Sequence, residues 1–376
     1  MKRKALWISI IGILLIGFVC LFCYRHYIRQ KQIEQKKHTG LVSEDFPVQD
    51  IKHQSKNIYE DAYQAETDTQ LQIMKDNHSY TIEDPLLVWN PYGTNTGSFY
   101  YYGISEQDSY VVCEVTCNNG SVIKHRLKND SDSGVTKTHE YLITGLAPGL
   151  KNHFSLAFYD AGNNLIHTYQ YTVTLKKDKQ IPAITKVEKG NSKSSLTDGL
   201  FAVLGHDKSK AKNIYYYDNN GICRGKTPLD DYRTDRILTI DGKIVYSYSL
   251  TDIAFVNRLG KVEKTLSLGK YELHHDFMYD EKRNELLCLV NDTDKDTIED
   301  VLISVNIETG KVKKLVDFEK MMKSMRKRSV QRKGGKNTYG GTELDWLHLN
   351  SLDMINDKDA VFSSREESVI IKINKQ

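Results

Sequence analysis

The chain has 376 residues, enough for two or three domains of ordinary size. Hydrophobic residues make up 39% and charged residues 27%, which excludes a disordered chain, and six Cys in this length exclude a disulfide-dense miniprotein. Lys and Arg number 52 against 49 Asp and Glu, and the net charge of +3 gives no electrostatic ground for a nucleic-acid partner.

The first element is apolar. Ala5 to Cys23 reads ALWISIIGILLIGFVCLFC, 19 residues without a charge. As a helix it spans roughly 28 Å, one hydrocarbon core. Lys2, Arg3 and Lys4 precede it, as in the basic start of an export signal. A cleaved signal peptide has a shorter apolar core that ends in small residues. A lipoprotein cysteine also needs a small residue before it, where Val19 and Phe22 stand. Residues 1–24 are therefore expected to be an uncleaved signal anchor, a single transmembrane helix. Basic residues on both flanks leave the positive-inside rule undecided, but long domains translocate largely regardless of such charges. The expected location is the cell membrane, single-pass, with the bulk of the chain extracytoplasmic.

Residues 25–84 are polar and read as a stalk, within which Ile58 to Asn77 can form a helix. At Leu86 the composition changes. LLVWNPYG, SFYYYGI, YVVCEVTC, SVIKHRL, HEYLITGL, NHFSLAFYD and LIHTYQYTVTL are short alternating or aromatic segments separated by turn residues. They predict seven strands and a β-sandwich over residues 85–177. Cys113 and Cys117 lie four apart on one strand, about 13 Å along it, too far to bridge. Cys223 and Cys288 read as packed free thiols.

From residue 184 a looser repeat begins. NIYYYDNNGICRGK, DIAFVNRLGKVEKTL, VLISVNIETGKVKKLV and VIIKINKQ each open with an apolar strand followed by Asp or Asn before a turn. Such pairs read as the outer strands of propeller blades, with RILTIDGKIVYSY, HHDFMYDEKRNELLCLVND and LDMINDKDAVFSSR as the inner strands between them. Residues 184–376 thus predict about four blades, a partial β-propeller whose last strand lacks a neighbour. The fold class expected is all-β. The basic run from Lys320 to Lys336 holds no acid. It is expected to be a solvated helix and loop inserted in a blade, although it could also attract an anionic substrate, lipid or wall polymer.

His274-His275-Asp276 opens one inner strand, and Trp346-Leu347-His348-Leu349-Asn350-Ser351 opens another whose pair ends at Ser363-Ser364-Arg365. Alternation puts His348 and Asn350 on one side of their strand. Imidazole, amide and guanidinium together suit a tetrahedral oxyanion. Taken singly, a His at a strand start is most often a capping or packing residue. No carboxylate-rich cluster or paired-Cys spacing points to a metal, and no cofactor is expected.

DWLHLNS, SSR and VIIKI, with HHD upstream, resemble the bacterial arylsulfate sulfotransferases. NPYGTNTGSFYYYG and GLAPGLKN resemble that family's N-terminal sandwich. The resemblance covers Leu86 to Gln376. It implies a six-bladed propeller enzyme that moves a sulfuryl group from a phenolic sulfate to a phenol through a sulfohistidine. It assigns His348, Asn350 and Arg365 to the sulfuryl group, with His275 as a further histidine and His274 as the alternative, since alternation admits only one of the two. The nucleophile is unassigned: eleven residues follow Arg365 and none is His, while Glu366 and Glu367 follow it directly. The expectation is a truncated homologue, inactive alone, with a phenolic sulfate donor, a phenol acceptor and the membrane as partners and homodimerisation left open. The alternative is a non-catalytic cell-surface protein binding a sulfated or phenolic ligand or a protein.

Overall fold

The computed structural model of the chain describes residues 48–117, 122–131, 133–181, 188, 190, 199–205, 212–231, 234–333 and 344–374. The expected signal anchor lies outside them. Among the described residues no helix is long and apolar enough to cross a membrane.

Residues 48–84, expected as part of a stalk, are packed. Gln49 pairs through its backbone with Leu87 and Trp89 (both 2.9 Å). The helix expected within Ile58 to Asn77 runs over Asp61–Asn77 and buries Tyr63, Gln64, Thr67 and Leu71, a spacing that keeps one helical face inward. Just before it, Tyr59 donates to the Pro228 carbonyl (2.6 Å) and stacks on Tyr248 at 3.8 Å. Scattered Tyr and Leu that look isolated along the sequence therefore form an apolar face when helical.

Strands β1 (Leu86–Trp89), β2 (Phe99–Cys117), β3 (Val122–Arg126), β4 (Thr136–Ile143), β5 (Lys151–Tyr159) and β6 (Leu165–Thr174) follow. Six form rather than seven, because SFYYYGI and YVVCEVTC are two halves of β2. Its first half pairs with β1 and β4, its second with β3 and β5, and the register breaks between Ile104 and Ser109. Both halves send alternate residues into one core with Tyr141, Phe154, Leu156, Phe158 and Tyr171, giving two layers. Cys113 and Cys117 are buried on β2 as free thiols, as are Cys223 and Cys288.

Four antiparallel meanders come next: β7 (Phe201–Val203), β8 (Asn213–Tyr217), β9 (Cys223–Pro228); β10 (Ile237–Ile240), β11 (Lys243–Ser247), β12 (Asp252–Val256), β13 (Val262–Ser267); β14 (Tyr271–Asp280), β15 (Glu285–Asp292), β16 (Val301–Asn306), β17 (Val312–Asp317); and β18 (Leu349–Met354), β19 (Asp359–Ser364), β20 (Val369–Asn374). The second and third share a core around Val245, Phe255, Phe277 and Ile303. The third and fourth share one around Leu289, Trp346, Leu352 and Phe362. β14 lies beside β10 and β18, the first strands of its neighbours. No ladder joins the first meander to the last among the described residues. The basic run forms helices Phe318–Met321 and Lys323–Lys333 between the third and fourth meanders, not within one.

The sandwich and the first meander interlock. Arg224 of β9 is fully buried, with Nε 2.7 Å from Asp218 Oδ2 and Nη1 donating to the Gly145 carbonyl (2.8 Å). Gly97 lies so close that a Cβ there would stand 1.8 Å from the Arg224 carbonyl oxygen.

Candidate active site

Two irregular strand starts and one loop build the site. On β14 the register passes from Leu273 opposite Val290 to Phe277 opposite Cys288, so His274, His275 and Asp276 together face Leu289 alone. This bulge bends the strand. It also removes the alternation that allowed only one of the two histidines inward: their rings lie 5.5 Å apart, and His275 is 4.9 Å from the ring of His348. Asp276 ties the bulge down, accepting from Arg236 Nη1 (2.7 Å) and from the Leu352 backbone N–H (2.8 Å).

The Asp345-Trp346-Leu347-His348-Leu349 segment divides its work. Trp346, Leu347 and Leu349 are wholly buried in the core between the third and fourth meanders. Trp346 Nε1 donates to Asp300 Oδ2 (2.8 Å), and Lys295 holds the same carboxylate at 3.0 Å. That fixes the loop carrying Glu299, whose carbonyl accepts from Leu349 N (3.1 Å) and whose N–H donates to Asn291 Oδ1 (2.8 Å). Asp345 Oδ2 is 2.7 Å from His348 Nδ1, and the Arg365 backbone N–H donates to the His348 carbonyl (3.0 Å).

The polar atoms meet at close range. His275 Nε2 is 3.0 Å from His348 Nε2 and 3.6 Å from Glu299 Oε2. Glu299 also contacts His348 Nδ1, and Arg365 Nη2 reaches Asp345 at 3.3 Å and Glu366 at 2.8 Å. His275, Glu299 and His348 have φ of 56°, 59° and 50°. Three non-glycine residues in the left-handed region at one point store backbone strain, and such strain clusters at functional sites.

Burial acts on these groups in opposite directions. It opposes the charged form of His348, but Asp345 and Glu299 outweigh it and bring the imidazole up to about 9. Burial would raise Glu299, yet His275 and His348 hold it well below the usual carboxylate range. Burial dominates at His274, which is pushed down to about 3 and stays neutral. His348 is therefore an imidazolium at neutral pH. Its Nε2 stands in hydrogen-bond contact with His275 Nε2 at 3.0 Å.

Of the residues expected from sequence, His274, His275, His348 and Arg365 come together. Asn350 does not join them: it is the extra residue where β18 slips between Leu349 and Ser351, it is exposed, and its Oδ1 accepts from Ser363 Oγ (2.5 Å). His348 precedes the strand in a left-handed conformation, so alternation does not relate it to Asn350. Glu299 and Asp345 were not anticipated. Asp345 is the first residue of the DWLHLNS segment and three before His348, a spacing that could have marked it. Glu299 sits in a loop 24 residues after His275, with no local signal. Among the described residues two sets of side chains could approach a metal ion, His274 with His275 and Glu299, and Glu299 with Asp345 and His348. In each set the donor atoms all lie within 4.8 Å of one another.

A chain of antiparallel meanders with a histidine–carboxylate–arginine cluster at the starts of β14 and β18, the loop before β16 and the end of β19 defines an all-β protein with a polar, charge-dense site. The sequence profile Arylsulfotransferase (ASST) matches residues 185–376, about half of the chain, and the protein belongs to that family. Among solved structures, Saccharomyces cerevisiae Sqt1 is similar at 12% identity over 74% of this chain and 68% of its own, with a TM-score of 0.29. Myxococcus xanthus glutaminyl cyclase is similar at 9% identity over 60% of this chain and 84% of its own, with a TM-score of 0.26. At these scores the likeness carries no functional weight. Comparison with curated proteins finds no match.

Proposed function

We propose that His275, His348 and Arg365 bind the sulfuryl group of an aryl sulfate ester, on a partial propeller whose blades are the four meanders. A membrane anchor at residues 1–24 would hold the chain at the extracytoplasmic surface. The observation that carries the reading is the convergence of His275 on β14, His348 at the start of β18 and Arg365 at the end of β19, inside the region matched by the family profile. An imidazolium and a guanidinium offer directed, charged donors to the sulfuryl oxygens, and neighbouring imidazoles can donate as well.

Transfer through a sulfohistidine needs an imidazole lone pair aimed at sulfur. In the cluster as it stands, His348 carries protons on both nitrogens and has no lone pair to offer sulfur, while His275 Nε2 is in contact with His348 Nε2 at 3.0 Å. The reading is therefore binding without turnover by these residues alone. The test is the purified chain with 4-nitrophenyl sulfate and a phenol acceptor. Saturable binding is expected without release of 4-nitrophenol. Arg365→Ala should weaken binding by about 1.5–3 kcal/mol, roughly ten- to hundredfold in Kd. Turnover by the unmodified chain that His348→Ala abolishes would overturn the no-turnover part. Binding indifferent to Arg365→Ala would overturn the site.

A further inference from the structure

We infer that helix Lys323–Lys333, with Lys320 and Met321 just before it, docks on the surface of a bilayer rich in anionic phospholipid. The choice of occupant rests on the proposed membrane anchor, and the inference is independent of sulfuryl binding.

The helix is held in one orientation. Phe318 is fully buried and meets the ring of Phe362 edge-on at 5.2 Å. Met322 and Met325 pack against the same core. Ser329 is fully buried, and its Oγ donates to the Trp346 carbonyl (2.9 Å). These residues follow at three and four positions, the spacing of one helical face, so that face is fixed inward and the other is turned to solvent. The outer face carries Lys323, Lys327 and Arg328, all exposed. Lys320, on the short helix before it, has a side chain 76% exposed.

Local electrostatics do not account for these charges. From Lys320 to Thr342 the sequence has no acid. Lys323 opens a helix whose first turn holds no carboxylate, although a helix N-terminus favours negative charge. Lys323 and Lys327 stand four apart as like charges, which weakens a helix. Arg326 is tied to Glu319 (2.9 Å) and Lys320 lies 3.7 Å from Asp317. Lys323, Lys327 and Arg328 make no ion pair among the described residues. A positive face assembled at the expense of its own helix fits an anionic partner.

Two observations favour a bilayer over a soluble polyanion. Met321 is 50% exposed among the lysines. A phosphate polymer offers an apolar side chain nothing, whereas a bilayer presents headgroup charge and the acyl boundary together. The second observation is the apolar segment Ala5 to Cys23. Anchored there, the chain meets the surface intramolecularly, so a weak contact suffices. Each basic residue near an anionic surface strengthens such a contact about fivefold.

The test reconstitutes the full chain in vesicles of phosphatidylcholine, alone or with an equal part of phosphatidylglycerol. Acetylation of lysines by a membrane-impermeant reagent is mapped by mass spectrometry. On anionic vesicles Lys320, Lys323 and Lys327 should react at least tenfold more slowly than on neutral ones, and molar salt should restore their rates. Lys282, 64% exposed on the turn between β14 and β15, should react equally on both. The combined substitution Lys323→Glu, Lys327→Glu and Arg328→Glu, its fold checked by circular dichroism, should abolish protection of Lys320. Equal reaction of the helix lysines on both vesicles overturns the inference, as does protection by soluble polyphosphate with none by vesicles. Flotation with vesicles in molar salt scores the anchor separately. Should the anchor fail, salt-sensitive binding of the full chain to anionic vesicles still decides the docking, so the two readings fail apart.

Discussion

Replacing Asp345 with Asn removes one of the two carboxylates that keep His348 charged while preserving the side-chain shape. The imidazole stands at about 9 in the folded chain against an ordinary 6.5, and its side chain is only 4% exposed, so solvent screening is slight. A shift of that size corresponds to roughly 3 kcal/mol of folding stability at about 1.4 kcal/mol per unit. Because the folded value is raised, the whole contribution is present below pH 6.5 and is lost as pH climbs through 9. Glu299 remains in the variant, so about half the contribution should go, roughly 1.5 kcal/mol at pH 6 and close to nothing at pH 10. The Arg365 contact with Asp345 disappears too, and that loss enters at both pH values and drops out of the difference. Urea unfolding of the full chain, at pH 6 and pH 10, measures the difference. Imidazole NMR titration reads His348 directly. Equal destabilisation at both pH values, or a His348 that titrates below 6.5 in the unmodified chain, would refute the reasoning.

Two further substitutions test the frame. Gly97→Ala should destabilise by about 3 kcal/mol or more, because the new Cβ would meet the Arg224 carbonyl oxygen at 1.8 Å and the Leu146 carbonyl oxygen at 2.6 Å, and both are backbone. A lowered urea midpoint at constant slope is the readout. Trp346→Ala should lose about 3–5 kcal/mol from the empty volume alone. It should also withdraw the Nε1–H from buried Asp300, which calorimetry would register as a lower melting temperature.

Much of the framework was legible because it rests on period-two alternation. From Ser109 to Cys117 buried and half-buried residues alternate strictly, and the recurring strand–turn–strand pieces from Asn213 to Asn374 correspond to ladders in all four meanders. What escaped was continuity and irregularity. Nothing in Ser105 to Asp108 says that β2 continues past them, since the partner strand changes there while the backbone stays extended. The segment before Leu86 looked unstructured because its apolar residues acquire a common face only through helix and tertiary contact. At the site, alternation set one of His274 and His275 aside, whereas the fold brings their rings within 5.5 Å, and it paired Asn350 with His348, where the strand carries an extra residue. Both expectations fall on a bulge, where extra residues, two on β14 and one on β18, interrupt the alternation. Glu299 was invisible because its role depends on a fold contact between a loop and a strand start about 50 residues later.

Asp276 has a mechanical meaning beyond its hydrogen bonds. One carboxylate on β14 grips Arg236 at the threshold of β10 and the Leu352 amide on β18, so three successive meanders share a common rivet. Sliding any one of these strands along its neighbour would break that joint before it disturbed the apolar faces behind it. The histidine rings are mounted beside the rivet, on β14 and at the entrance to β18. Their mutual distance is thus set by a short, stiff linkage and not by the softer packing between sheets, which lets thermal breathing of the outer strands leave the cluster in register.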